Sequence, residues 1–122
     1  MAARELFVED AIKHIEAGNQ LVEGIKKFNE ETTGAIADLD GGMTMTEAFT
    51  RHDSAVWSRR MNELLEAYEK TRRKVRESAA NALQQEGRTA GFIAESFGTT
   101  HQWASRLLRG ARAAENPGDS TT

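Results

Sequence analysis

The chain has 122 residues, no cysteine and a formal net charge of −3. That length supplies one domain's worth of core, and the lack of cysteine removes disulfides and thiolate metal sites while pointing to a reducing compartment. No apolar run approaches the roughly 20 residues that span a bilayer, and the start MAARELFVED lacks a basic-then-apolar secretion signal; the expected protein is cytoplasmic, with no membrane partner.

The charge is unevenly spread. Residues 1–50 carry 4 Lys/Arg against 10 Asp/Glu, whereas residues 51–122 carry 12 against 9. Within 88–112 there are four arginines and a single acid, Glu95. A polyanion would therefore meet a locally basic surface despite the acidic balance of the whole chain.

From the N-terminus, apolar residues at Val8, Ile12, Ile15, Val22, Ile25, Ile36 and Leu39 recur mostly at steps of three, four or seven. This spacing predicts a long helix over roughly 3–39. Gly18, Gly24 and Gly34 weaken it, each by about 1 kcal/mol against alanine, and place a kink or early end near Thr32 to Gly34. The paired Gly41 and Gly42 favour a helix stop, and Thr44 or Thr46 is placed to cap the next helix.

That second helix is predicted over roughly 46–85. Trp57, Met61, Leu64, Tyr68, Thr71, Val75, Ser78 and Ala82 alternate steps of four and three, a heptad-like seam. Two long helices joined by a short turn predict an antiparallel hairpin over 1–86. A hairpin alone has limited means of covering its apolar stripes, so a homodimer is expected, coiled-coil-like or four-helical. Its contacts are assigned to Ile12, Ile15, Val22, Ile25, Trp57, Met61, Leu64, Tyr68 and Val75. Lys70, Arg72, Arg73, Lys74 and Arg76 interleave with Glu66, Glu69 and Glu77, which reads as a solvated, salt-bridged face rather than a second basic site.

After Gly87 the texture changes to short helices, which defines a module over 87–114 and leaves 115–122, with the only proline, as a disordered tail. Thr89 is a plausible cap for a helix that turns Ile93, Ala94 and Phe97 inward. Gly98 permits a left-handed turn, Thr100 caps the next helix, and Ala104, Leu107 and Leu108 form its apolar side. Small Ala94 followed four residues later by Gly98 is the spacing of a helix-turn-helix.

The segment FIAESFGTTHQWASRLLRGAR resembles the helix-turn-helix of bacterial transcription regulators, including sigma-factor-like and resolvase-like modules, whose usual pattern is I-A-x-x-[LF]-G-V-S-x-x-x-V-S-R-L-L. Ile93, Ala94, Phe97, Gly98, Thr100, Ser105, Arg106, Leu107 and Leu108 agree with it; Thr99 and Ala104 depart from it by replacing larger apolar residues. The resemblance covers about 22 residues; long helices leading into such a module look like those of actinobacterial or phage regulators.

The resemblance implies that helix 100–112 enters the DNA major groove. His101, Gln102, Ser105 and Arg106 would face base edges, where Gln suits adenine and Arg suits guanine. Thr100 opens that surface, and Arg109, Arg112, Arg88 and Thr89 would reach phosphates. Trp103 is expected to pack against the neighbouring helix. The implied function is a homodimeric, sequence-specific double-stranded DNA-binding regulator associated with a bacterial nucleoid. An architectural or plasmid/phage maintenance protein, and an adaptor whose hairpin holds a protein partner, remain alternatives.

Catalysis finds no support. The chain has no glycine-rich phosphate loop; His14, His52 and His101 are far apart in sequence; and Glu30 with Glu31 and Asp38 with Asp40 read as solvated acids. Neither a cofactor nor a metal is expected.

Overall fold

The computed structural model describes the backbone of residues 2–115 and the side chains of residues 2–109. Among these residues there are five helices and no strand: α1 (Ala3–Asp40), α2 (Met45–Arg51), α3 (Ser54–Gln85), α4 (Ala90–Ser96) and α5 (His101–Glu115). The protein is all-α, as its periodicity predicts. No helix is long and apolar enough to cross a membrane among the described residues. Helix α5 takes in Glu115, and the rest of the expected tail, 116–122, lies outside the described residues.

Helix ends follow local chemistry. At the end of α1, Met43 N–H reaches Asp38 C=O and Gly42 N–H reaches Leu39 C=O, each at 3.0 Å, with Gly42 at φ +98°. Those paired bonds satisfy carbonyls the helix would otherwise strand, and the positive φ costs glycine nothing. Helix α2 then begins with a capping box: Thr44 Oγ1 accepts from Glu47 N–H at 3.1 Å, and Glu47 Oε1 accepts from Thr44 N–H at 3.4 Å.

The single helix expected over 46–85 is instead two. His52 leaves helical geometry, and Asp53 takes φ +50°, a conformation that Asp tolerates better than most residues. The physical reason lies in α1: His52 turns its ring toward Glu31 and Asp38, and α3 starts afresh with Trp57 N–H bonded to Asp53 C=O at 3.1 Å.

The early end expected near Thr32 to Gly34 does not occur, since α1 runs unbroken to Asp40. Its glycines are places of close approach. A Cβ at Gly24 would collide with Leu64 Cδ1, and one at Gly34 would lie 2.6 Å from His52 Cε1. A Cβ at Gly18 would make an ordinary contact, 3.6 Å from Tyr68 Cε2.

The helices assort into two compact units, one of Met1–His14 with Thr71–Thr122 and the other of Ile15–Lys70. In the 15–70 unit, contacts pair residues 18 with 68, 24 with 64 and 34 with 52, so the chain runs antiparallel to itself. Buried here are Gly24, Ala48 and Leu64. In the other unit, Ala80 of α3 joins Ile93, Ala94, Ala104 and Leu108 in a core flanked by Leu83, Ala90, Phe97, Trp103 and Leu107. There, too, His14 Nδ1 meets Thr71 Oγ1 at 2.8 Å.

Candidate nucleic-acid interface

The α4–α5 pair is built on a four-residue link, Phe97 to Thr100. Thr89 Oγ1 accepts Phe92 N–H at 3.2 Å, starting α4, and Thr100 Oγ1 accepts Trp103 N–H at 3.1 Å, starting α5. Between them Gly98 stands at φ +65°, with Thr99 N–H on Ala94 C=O at 2.8 Å and Gly98 N–H on Glu95 C=O at 3.1 Å. Any side chain at position 98 would pay for the left-handed backbone that aims α5 back across α4.

Packing fixes the rotation of α5 about its axis. Ala104 is fully buried and Leu108 nearly so, against Ile93 and Ala94. Alanine at 104, where the resembled pattern has a larger residue, leaves α5 seated close to α4. Trp103 fills the neighbouring space: its ring meets Phe97 edge-on, with centroids 5.8 Å apart at 76°. On Trp103 lies the Arg76 guanidinium, 5.3 Å from the ring centroid. Arg76, read from sequence as part of a solvated charge run, is thus half-buried and belongs to this core's border.

With that face fixed, the opposite face of α5 follows. His101, Gln102, Arg106 and Arg109 are exposed and Ser105 is half-exposed, and these five line one surface depression of about 360 Å³. A second depression of about 360 Å³ is lined by Arg88, Thr89, Ser105 and Arg109, with Gln84, Ala90 and Leu108. Ser105 and Arg109 border both, so residues far apart in the chain, 88–89 and 101–109, share one surface. Neither lining contains an acid.

Individual groups differ in freedom. His101 Nδ1 lies 3.5 Å from Ser105 Oγ, one turn along the same face. The Arg88 guanidinium rests over the Phe92 ring, 4.8 Å from its centroid. Thr100 is exposed while its oxygen caps α5, which leaves its O–H as a donor. Among the described residues Arg106 makes no ion pair, with Glu95 or any other acid. The side chain of Arg112 lies outside the described residues.

The residues expected to dimerise are placed in two different ways. Leu64 is buried and Trp57, Met61, Tyr68 and Val75 are half-buried, so the α3 seam is largely used within the chain. Ile12, Ile15, Val22 and Ile25 of α1 are 60, 62, 66 and 40% exposed.

One cluster is missing from the sequence reading. Glu31 and Asp38, read as solvated acids, grip the His52 ring from its two nitrogens: Nδ1 to Glu31 Oε2 is 2.9 Å and Nε2 to Asp38 Oδ2 is 2.6 Å. Arg51 adds a contact of 3.4 Å to Asp38. Hydrogen bonding to Asp38, then to Glu31, raises the His52 pKa above its ordinary 6.5. The available signal was the spacing: Glu31, Gly34 and Asp38 fall on one α1 face, with glycine leaving room for a ring between two carboxylates.

Comparison with known proteins gives no matching family model, no matching curated protein and no matching solved structure.

Proposed function

We propose that the protein binds double-stranded DNA sequence-specifically through α5, as a homodimeric transcriptional regulator in which the α4–α5 pair acts as a helix-turn-helix and the longer helices form a dimerising hairpin. The observation that carries this reading is the acid-free surface shared by Arg88, Thr89, His101, Gln102, Ser105, Arg106 and Arg109, opposite the buried Ala104–Leu108 face. An exposed helix of this kind fits the major groove, and its arginines meet phosphate and guanine on the same approach.

Gln102 and Arg106 are one turn apart and would read bases. Arg88, Thr89 and Arg109 flank them and would hold the backbone, giving affinity that falls as salt rises. Arg106 is ready for a base because no acid competes for it among the described residues. A bacterial nucleoid is the setting this function implies.

Selection of binding sites from a random duplex library, with the intact protein and Arg106→Ala side by side, tests the proposal. The expected result is an enriched inverted repeat, with the variant weaker on that site by about 1–3 kcal/mol and relaxed at one position of each half-site. Retention of DNA without enrichment makes the protein an architectural one. No retention of duplex removes α5 from any DNA role and turns attention to a protein partner.

A further inference from the structure

Helix α1 carries a row of side chains that its own chain does not cover. Val8, Ile12, Ile15, Asn19, Val22, Lys26, Asn29, Thr33 and Ile36 follow one another at alternating steps of four and three, all of them exposed. That alternation is the seam of a coiled coil. In the 15–70 unit, Gly24, Gly34 and Asp38 make their contacts from a different face, while Gly18, at the edge of the row, lies beside Tyr68.

We infer that this row is the contact between two copies of the chain, and that the two α1 helices pair in parallel and in register. The inference rests on the homodimer reading above and specifies its interface and orientation, with the α3 seam left to packing inside each copy.

Area supports a second copy as occupant. Val8, Ile12, Ile15, Val22, Ile25 and Ile36 are 40 to 66% exposed, leaving roughly 600 Å² of side-chain surface, most of what one partner contributes to a stable interface, about 800 Å². Although Asn19, Lys26, Asn29 and Thr33 interrupt it, this much aliphatic surface lies at the upper end of what a monomer ordinarily presents to water. The choice of residues points the same way. β-Branched side chains lose rotamer freedom in a helix, so Ile and Val are poor occupants of an exposed helical face unless something packs on them.

Charge sets the orientation. Glu9, Glu16, Glu23 and Glu30 recur at intervals of seven along one edge of the row, and the other edge holds Arg4, Ala11, Gly18, Ile25 and Thr32. An antiparallel pair brings like edges together and opposes glutamate to glutamate. A parallel pair sets each glutamate edge against the partner's other edge, where Arg4 faces Glu9 and the remaining positions are uncharged. In that register Asn19 meets Asn19 and Asn29 meets Asn29, so each amide finds a complementary amide within the seam. Lys26 has a stem long enough to lie along the seam with its ammonium at the glutamate edge.

Cysteine chemistry reads this directly, because the chain has no cysteine of its own. Ile15→Cys and Ile36→Cys, oxidised mildly and separately, should each give a disulfide-linked dimer, since only a parallel, in-register pair brings both positions to their own counterparts within about 7 Å. Crosslinking only when the two variants are mixed would overturn the parallel orientation. Sedimentation equilibrium of the intact protein and of Val22→Glu, with helicity followed by circular dichroism, tests the face itself: the intact chain should be dimeric and the variant monomeric at unchanged helicity. A monomeric intact chain, or a variant as dimeric as the parent, would overturn the interface. These measurements use no DNA, and the Arg106→Ala comparison does not depend on the α1 row, so the interface and the DNA reading can fail separately.

Discussion

The unit around α4 and α5 and the unit of residues 15–70 are both helical, yet they are held by different means. The first closes on a small aliphatic core, with Ile93 and Ala104 fully buried, Ala80 beneath them and an aromatic pair at the border. The second buries little besides Ala48, Leu64 and Gly24, while Val22, Ile25, Ile36, Val56 and Leu65 stand exposed. In the one, helices are positioned by apolar side chains filling space. In the other they approach through glycines and are tied by a histidine between two acids. The difference teaches that the surface proposed to face DNA rests on a seat that is stable by itself, whereas a helix pair proposed to meet a second copy can leave its larger apolar residues outside.

The sharpest break of that comparison is at Ile93. Truncation to alanine opens a cavity among Ala80, Ala94, Ala104 and Leu108. Ile93→Ala should cost about 2–5 kcal/mol, read by urea denaturation, and duplex binding should fall with it because α5 loses its seat. Val22→Ala in the other unit should leave a monomer's stability almost unchanged.

A smaller and more discriminating effect separates the three α1 glycines. Each gains about 1 kcal/mol of helix propensity on becoming alanine, so the sign depends on the space across the helix interface. Gly18→Ala should stabilise, since its new methyl meets Tyr68 at ordinary contact distance. Gly24→Ala pushes into buried Leu64, and Gly34→Ala into an imidazole fixed from both sides; overpacking of about 1–3 kcal/mol should outweigh the propensity gain. Thermal denaturation of the three variants, all stabilised alike, would show that the close approaches are not holding the unit together.

Much of this was legible in the chain. The helical periodicities, the glycine turn at 41–42, the Gly98 turn and the inward set Ile93, Ala94, Phe97, Ala104 and Leu108 all came from local rules, because caps and left-handed turns are written within four or five residues. The candidate DNA surface was legible for the same reason, as what remains of α5 once its buried side is known. The break at His52–Asp53 was not, since its cause lies on another helix about twenty residues away. The α1 glycines were read as weaknesses because propensity is a property of one helix, whereas close approach belongs to two. Nor could periodicity tell which of two stripes on α1 faces α3: the stripe with the larger aliphatic residues is outside, and the one with glycines, His14 and two acids is inside.

The smallest expected effect concerns that acid-held histidine, because it lies near the surface where water weakens each bond. Its folded pKa is raised above 6.5 by the bonds to Asp38 and Glu31, so folding favours the protonated ring. The stability it contributes is therefore fully present below pH 6.5 and is lost as pH rises through the higher folded value. His52→Gln keeps a polar side chain but cannot take a charge, and it should flatten the stability profile from pH 6.5 upward while leaving the acid-side unfolding of the chain in place. The C2 proton of His52, followed by NMR across the same range, should titrate with a midpoint above 6.5. A midpoint at or below that value would mean that the ring is not gripped from both sides, and the α2–α3 break would need another cause. Asp38→Asn should lower the midpoint more than Glu31→Gln, since Asp38 holds the ring by the shorter bond.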